Sequence, residues 1–340
     1  MSRGRRLAVG LAVLAGALGG CGSPAAPASS PTPGPTAAAT PTPHRIVPRP
    51  AARLYGVMAT DSVHRDVLLF GGATQAGDLD DTWTWAGGRW TQSDAFPVPP
   101  PRGIAGFAED GAGHVLLFGG EQAGSRTLGD SWSWDGTAWT ALPAGPAPSR
   151  RSAVAMAWDA ATRQLLLFGG AGVDGRTADT WVLDAGHWSQ LRPAASPPAR
   201  SGAAIAYDPA SRQLLLFGGA GPSADLGDTW TWQAGSWQQL HPAASPPARS
   251  GAAMAWDAAS GRLVLFGGVA GGQPQADTWT WDGTTWSQAS PAASPSPRAF
   301  PALAADPSSG DVLLFGGQGP AGALGDGWIW HGGTWTMTPT

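Results

Sequence analysis

The apolar residues of the chain recur as one short pattern that appears six times. An aliphatic run ends in Phe-Gly-Gly, a polar loop follows, and then tryptophans stand at alternate positions. The six runs end at Phe70, Phe118, Phe168, Phe217, Phe266 and Phe315, which gives a period of 48 to 50 residues. A repeat of this length marks an array of similar supersecondary units.

An arginine fixes the register of these units. The set Arg53, Arg102, Arg151, Arg200, Arg249 and Arg298 is spaced by 49 residues throughout. In the fourth unit the pattern predicts strands over 201–207, 213–217, 229–232 and 236–240. Four short strands per unit, repeated six times, predict an all-β, six-bladed β-propeller of four-stranded blades.

Side-chain size along the units supports this architecture. Six residues after each arginine stands a small Ala, and five residues after it a large apolar residue. Alternation along a strand puts these two positions on opposite faces. Small residues let blades approach near the axis, whereas the paired tryptophans of the third strand fill the wider gap at the rim. We expect the double glycine to end the second strand and to adopt positive φ.

The amino terminus has a different composition. Three arginines precede a short apolar run, and small residues then lead to Cys21, the single cysteine of the chain. This order is typical of a secretory signal, predicted over residues 1–20. The stretch 18–21 resembles a bacterial lipobox, which implies lipidation of Cys21. An ordinary cleaved signal with an incidental cysteine is the alternative.

The next segment, residues 21–50, is rich in Pro, Ala, Ser and Thr and is predicted to be a disordered linker. Residues 51–340 form the predicted propeller and carry 15 arginines and 24 acidic residues, a formal charge of 15 − 24 = −9. Such a charge argues against binding to nucleic acid. We therefore expect membrane contact only through a lipid anchor, on the outer face of a bacterial cell membrane.

The repeated residues resemble the Kelch repeat, over residues 53 to about 338. The resemblance is carried by the unit-opening arginine, the Phe-Gly-Gly after an aliphatic strand and the downstream Trp. Leu183 and Gly327 depart from the pattern in units three and six. We expect blades at about 53–101, 102–150, 151–199, 200–248, 249–297 and 298–340. Each unit is complete, so the ring is predicted to close by packing between blades one and six.

The six arginines are the first candidate ligand-binding set. The resemblance implies this use, because equivalent arginines of Kelch adaptor proteins help to bind acidic peptides. The alternative is structural, with each arginine paired to a repeated aspartate or to loop carbonyls. The variable loops after the double glycine, such as 121–128 and 172–177, share the face of this ring and are candidate recognition loops.

A second candidate set stands seven residues after each arginine. In chain order it reads Thr60, Glu109, Trp158, Tyr207, Trp256 and Ala305. Three aromatic residues on consecutive blades beside a glutamate predict an asymmetric patch at the mouth opposite the arginines. Glu109, Trp158, Tyr207 and Trp256 suit sugar or peptide binding, although core packing explains them equally well.

The sequence favours a binding protein over an enzyme. The six histidines are scattered without metal-ligand spacing, so no metal and no cofactor is predicted. No catalytic residue is assigned. The alternative is a carbohydrate-active propeller similar to sialic-acid mutarotases, with Glu109 and the arginines acting in the channel. We expect a monomeric, non-catalytic binding or scaffolding module that recognises an unknown protein or glycan.

Overall fold

The computed structural model describes residues 49–339, and these form six four-stranded antiparallel sheets. Each sheet is built from one continuous stretch of chain, and its strands follow one another in sequence order. The predicted six-bladed propeller is thereby confirmed. The predicted signal, the lipidation at Cys21 and nearly all of the linker lie outside the described residues. Among residues 49–339, no helix is long and apolar enough to cross a bilayer.

The strands repeat in position from blade to blade. The first strands span Val57–Asp61, Gly106–Glu109, Ala155–Asp159, Ala204–Asp208, Ala253–Asp257 and Ala302–Ala305. The second strands span Asp66–Thr74, Val115–Phe118, Gln164–Phe168, Gln213–Ala220, Arg262–Phe266 and Val312–Phe315. The third strands span Gly77–Ala86, Ser131–Trp134, Thr180–Asp184, Asp225–Gln233, Thr278–Trp281 and Gly327–His331. The fourth strands span Arg89–Gln92, Trp139–Ala141, His187–Leu191, Ser236–Leu240, Trp286–Ala289 and Thr334–Met337.

The first strands surround the axis, and the closing seam has the same backbone bond from the unit-opening arginine that joins all other blades. The backbone N–H of Arg102 donates to the carbonyl of Leu79 in the preceding blade, at 3.1 Å. At the closing seam the N–H of Arg53 donates to the carbonyl of Leu324, at 2.9 Å. Blades one and six each keep their own four strands. Closure without an exchanged strand, as the sequence predicts, is confirmed.

The double glycines have the predicted backbone conformation, but they do not end the second strand in every blade. In blade four, Gly218 and Gly219 have φ of 66° and 106°. A Cβ on Gly218 would lie 2.6 Å from the carbonyl oxygen of Arg249, so only glycine fits between adjacent blades. In blades one and four, however, the second strand continues through the glycines across a register shift. This β-bulge corrects the expectation that the glycines always end that strand.

The tryptophans of each blade pack against the preceding blade. Trp230, Trp232 and Trp237 form one cluster with Leu166 and Phe168, from the second strand of blade three. The rings of Trp237 and Phe168 meet edge to face, with centroids 5.1 Å apart. Aromatic pairs of this geometry stabilise a contact beyond its buried area. The blades are therefore held to one another chiefly by tryptophan on leucine and phenylalanine.

A hydrogen bond between blades accompanies this packing at five seams. The indole N–H of Trp237 donates to the hydroxyl of Thr180 at 3.0 Å, and the equivalent tryptophans use Thr82, Ser131, Thr229 and Thr278. At the closing seam the corresponding position is Gly327, and the hydroxyl of Thr338 fills the space that its Cβ would take. The indole of Trp90 has no hydrogen-bond partner within residues 49–339. The closing seam thus lacks one bond that the other five have.

We predict different costs for two matched substitutions. Trp237→Phe loses the bond to Thr180 and leaves a buried hydroxyl without its donor, so it should lower the free energy of unfolding by about 1 kcal/mol more than Trp90→Phe. Both variants keep an aromatic ring against phenylalanine. Chemical denaturation, followed by circular dichroism, measures the difference. Equal losses in the two variants would show that the bond contributes nothing.

Candidate binding site in the central channel

The central channel is divided by a ring of apolar side chains. This waist consists of Met58, Phe107, Met156, Ile205, Met254 and Leu303, which line the cavities on both sides of it. The cavity nearer the arginines has a volume of about 170 Å³ and is called the narrow cavity. The other has a volume of about 500 Å³ and is called the wide cavity. Only the wide cavity has the size of ordinary small-ligand sites, roughly 300–1,000 Å³.

The second candidate set gathers at the wide cavity. All six residues at the seventh position after the arginines line it, in the order Thr60, Glu109, Trp158, Tyr207, Trp256 and Ala305. The three aromatic side chains are half-buried. None of them pairs with another aromatic ring in the described part of the chain. Their gathering at one mouth agrees with the patch expected from the sequence, and their use in binding stays a prediction.

Close packing holds Trp158 in place. Its indole lies against Gly111 in the turn of blade two, where an added Cβ would come within 2.5 Å of the ring. Gly111 also has a φ of 67°, a backbone conformation that favours glycine. The turn of one blade therefore positions the aromatic side chain of the next. The indole also packs against the apolar cluster between blades two and three, and the rest of its surface lies at the cavity.

Glu109 is the one charged residue that lines the wide cavity. Its Oε2 accepts a hydrogen bond from the backbone N–H of Ser62, at 3.1 Å. Burial raises the pKa of Glu109; hydrogen bonding from Ser62 opposes the shift, and the carboxylates of Asp61 and Asp110 add to it. The pKa of Glu109 is therefore raised in an environment of negative charge. Nothing in this environment pairs the carboxylate with a cation.

The six arginines form a buried framework at the other end of the channel. In blade four, Arg200 is 1% exposed and makes a bidentate pair with Asp228, with N–O distances of 2.6 and 2.8 Å. It also donates to the carbonyls of Gly218 and Pro198. The indole of Trp230 donates to the same carboxylate, at 2.6 Å. Equivalent pairs join Arg53, Arg102, Arg151, Arg249 and Arg298 to Asp81, Asp130, Asp179, Asp277 and Asp326.

This pairing stabilises the charged form of the aspartate. Burial disfavours the ionised side chain of Asp228, but hydrogen bonds from Arg200 and Trp230 and the charge of Arg200 outweigh burial, so its pKa is lowered. The arginines line neither cavity. Of the two interpretations of the arginines, the structure favours the structural one, and we leave them out of the candidate site. The arrangement needed for a mutarotase-like enzyme, Glu109 and arginines in one cavity, is not formed by the described residues.

The repeated aspartates at the eighth position after the arginines shape turns beside the wide cavity. Asp159 accepts hydrogen bonds from the N–H of Ala161 and the hydroxyl of Thr162, and Asp208 and Asp257 make the same kind of turn. These hydrogen bonds define Asx-turns. Within residues 49–339, no cluster of three or more potential ligand residues is arranged to hold a metal ion.

A circle of backbone hydrogen bonds at the narrow cavity was missed by the sequence analysis. The second residue after each arginine has positive φ: Tyr55, Ile104, Ala153, Gly202, Gly251 and Phe300. From Ile104 to Phe300, the N–H of each donates to the carbonyl of its counterpart in the preceding blade. Tyr55 and Phe300 instead meet ring against ring, with centroids 5.4 Å apart. The glycines at two of the six positions were the available signal for this conformation.

The fold and the repeated Arg–Asp–Trp interaction define a six-bladed propeller of the Kelch type. A family model described as the KLHDC2/KLHL20/DRC7 Kelch-repeats domain matches residues 57–232 and 185–340. The chain therefore belongs to the Kelch-repeat family, as its sequence resemblance implied. No individual curated protein matches the chain.

The closing seam also contains an unfavourable carboxylate. Asp66 stands opposite Asp61 in the sheet, and its Oδ1 is buried without a hydrogen-bond partner among the described residues. Burial raises the pKa of Asp66 to about 6; Asp61 and Asp306 add to the shift, and His64 opposes it. Blades three and four carry Gln164 and Gln213 at this place in the sheet. Blade one thus has a charge where these blades are neutral.

We predict that Asp66→Gln stabilises the protein at pH 7.5 by about 1 kcal/mol, a value reduced to allow for partial solvent exposure. Because the folded-state pKa lies above the ordinary 3.8, the native state holds its proton more tightly than the unfolded state. The ionised side chain therefore costs stability as pH rises from about 3.8 to 6. Denaturation at pH 3 and 7.5 measures this, and a gain at pH 3 as large as that at pH 7.5 would contradict it.

Proposed function

We propose that this Kelch propeller is a non-catalytic binding module that recognises a protein or glycan at the mouth of the wide cavity. The observation that carries the proposal is the contrast between repeated and variable positions. Residues with a framework role, such as the arginines and their aspartates, are the same in all six blades. The residues at the seventh position differ in size, polarity and charge, and they meet at one cavity.

The composition of the mouth supports binding rather than catalysis. Its lining contains a single carboxylate, Glu109, and no arginine or histidine. General acid–base catalysis needs a proton donor and acceptor placed around the reacting atoms. Aromatic surface with a few polar groups is the usual composition of a recognition site. We therefore favour a binding module over the carbohydrate-active alternative.

The variable loops at the arginine face are a second surface that the proposed module could use. In blades two, three, five and six they fold into two-residue hairpins, of which Ala171–Gly172 and Gly175–Arg176 are one. Val173, at the tip of that hairpin, is 88% exposed. Because these loops face away from the wide cavity, substitutions in the two places separate their contributions.

The mouth is tested by a partner search with matched variants. The protein, with Cys21→Ser to allow purification without detergent, is applied to a glycan array and to cell-envelope extract. The double variant Trp158→Ala/Trp256→Ala should retain less than about a tenth of the captured ligand, because roughly 1.4 kcal/mol of lost contact is tenfold. Val173→Ala should capture as much as the parent protein. Thermal melts confirm that each variant is folded.

Two results would contradict the proposal. Undiminished capture by the double variant would remove the wide mouth from the binding surface. Loss of capture in Val173→Ala with none in the double variant would assign binding to the arginine-face loops instead.

We further propose that the module is exported and held on the outer face of a bacterial cell membrane by lipid on Cys21. The signal-like residues 1–20, the small residues before the cysteine and the Pro-rich segment after it support this proposal. A single acyl chain binds membranes only marginally, so stable anchoring needs more than one chain.

Anchoring is tested by phase partition in a bacterial host. The unaltered protein should enter the detergent phase of a Triton X-114 extract, because acyl chains on Cys21 carry it there. Cys21→Ser should move to the aqueous phase with its propeller folded. Aqueous partition of the unaltered protein would show that Cys21 carries no lipid.

A further inference from the structure

The wide cavity is short of hydrogen-bonding groups for its size. Apart from Trp158, Tyr207 and Trp256, its walls are mainly alanine and the aliphatic and sulfur side chains of the waist. The hydroxyl of Thr60 already donates to the carbonyl of Ala305, at 2.7 Å. The other polar side-chain groups at the cavity are Glu109, the hydroxyl of Tyr207 and the indole N–H groups of Trp158 and Trp256. A ligand with many hydroxyl groups would lose more hydrogen bonds to water than these few groups could replace.

Three carboxylates beside the wide cavity lack a paired cation among the described residues, whereas Asp61 and Asp110 contact the imidazoles of His64 and His114. Asp159, Asp208 and Asp257 directly follow the three aromatic residues and are at most 2% exposed. They accept hydrogen bonds from amides and hydroxyls of their own turns, and Asp257 also accepts one from the indole N–H of Trp330; within residues 49–339 none of them forms an ion pair. Charges buried in this way act through a lower effective dielectric than charges in water.

The pKa values of Glu109 and Asp66 are raised chiefly by burial. Neighbouring carboxylates add to the shifts, Asp61 and Asp110 for Glu109 and Asp61 and Asp306 for Asp66, whereas hydrogen bonds from Ser62 and the charge of His64 oppose them. Arg163, Arg212 and Arg262 stand on the neighbouring turns, but their side chains are exposed to solvent. The charge of Arg262 acts on Asp282, at the outer turn of the same blade. Solvent and salt screen such exposed charges over about 8 Å.

We propose that the wide mouth binds a methylated ammonium group of its ligand, with Trp158, Tyr207 and Trp256 providing aromatic faces and Glu109 the counter-charge. The inference rests on the proposed function for the position of the site and adds the chemical class of the ligand. A cation near an aromatic face contributes about 0.5–2 kcal/mol, and quaternary ammonium groups are commonly bound by several such faces.

The walls favour a methylated ammonium over a primary one. A primary ammonium has three N–H donors that each need an acceptor, and the mouth offers chiefly the Glu109 carboxylate. A fully methylated, quaternary ammonium has no N–H to satisfy and presents methyl groups that can pack against Met254 and Leu303. It is also weakly hydrated, so less hydration is lost on entering an apolar cavity. The same group is present on choline and on trimethyl-lysine.

Titration of the full mature chain with small probes tests the inference. Tetramethylammonium and choline, followed by calorimetry, should bind at least tenfold more tightly than 3,3-dimethylbutan-1-ol, the neutral carbon isostere of choline. A peptide containing trimethyl-lysine, compared with the unmodified peptide, distinguishes a protein ligand from a small one. Tighter binding of choline than of its isostere supports the inference. Equal binding of choline and its isostere, or tighter binding of the unmodified lysine peptide, overturns it.

Two conservative variants separate the contribution of the Glu109 charge to binding from that of the aromatic surface. Glu109→Gln keeps an acceptor for the N–H of Ser62 but removes the counter-charge, and it should weaken tetramethylammonium binding about tenfold. Trp256→Leu keeps an apolar side chain but removes an aromatic face, and it should weaken the cation more than the neutral isostere. Val173→Ala serves as the unaffected control. Equal weakening of both probes in Trp256→Leu would indicate hydrophobic burial alone and contradict the inference.

These outcomes are distinct from those of the partner search. If the double variant loses its captured ligand while choline and its isostere bind alike, the mouth is a binding site and the ammonium assignment is wrong. If capture is also unchanged in the double variant, the site itself is wrong.

Discussion

A buried guanidinium–carboxylate pair organises every blade of this propeller. In blade four, Arg200 joins the start of the first strand to the carbonyl of Gly218 in the second strand and to Asp228 in the third, while its backbone bonds to the preceding blade. Removing one member of a buried ion pair leaves the other uncompensated, at a cost of about 3–5 kcal/mol. The arginine, the aspartate and the first glycine therefore depend on one another. This dependence explains why they recur together in six blades.

The closing seam differs from the other five in several independent ways. Gly327 replaces the threonine that would accept from Trp90, Asp66 lacks a partner for one oxygen, and Tyr55 and Phe300 replace a backbone bond by a ring contact. The bonds of Arg53 to blade six are nevertheless made as elsewhere. The arginine framework therefore closes the ring, and the side-chain contacts around it at this seam lack features that the other five seams have. Because each strand stays within its own blade, this seam is where we expect the ring to open first.

The sequence predicts the architecture well because framework positions repeat and each repeat confirms the others. The period of 49 residues, the alternation of alanine with large residues and the double glycines together predict the blades and the face of each residue. The bulge after Phe217 and the backbone circle through Ala153 could not be predicted, since they depend on how neighbouring blades approach. In the candidate site, too, some features follow from the sequence and others require the structure. Counting from the arginine placed Trp158, Tyr207 and Trp256 on neighbouring blades, but whether the arginines were free or paired required the geometry of the aspartates.

The two ends of the channel differ in whether their charged side chains form ion pairs. At one end six arginines and six aspartates neutralise each other inside the blades, so the framework leaves little charge at the narrow cavity. At the other end Asp159, Asp208 and Asp257 accept hydrogen bonds from uncharged groups, and Glu109 lies near Asp61 and Asp110. Hydrogen bonds from amides stabilise a carboxylate without cancelling its field. A repeated turn that serves the fold thus creates a negative mouth, and the variable aromatic residues give that mouth a surface on which a cation gains more than a neutral group.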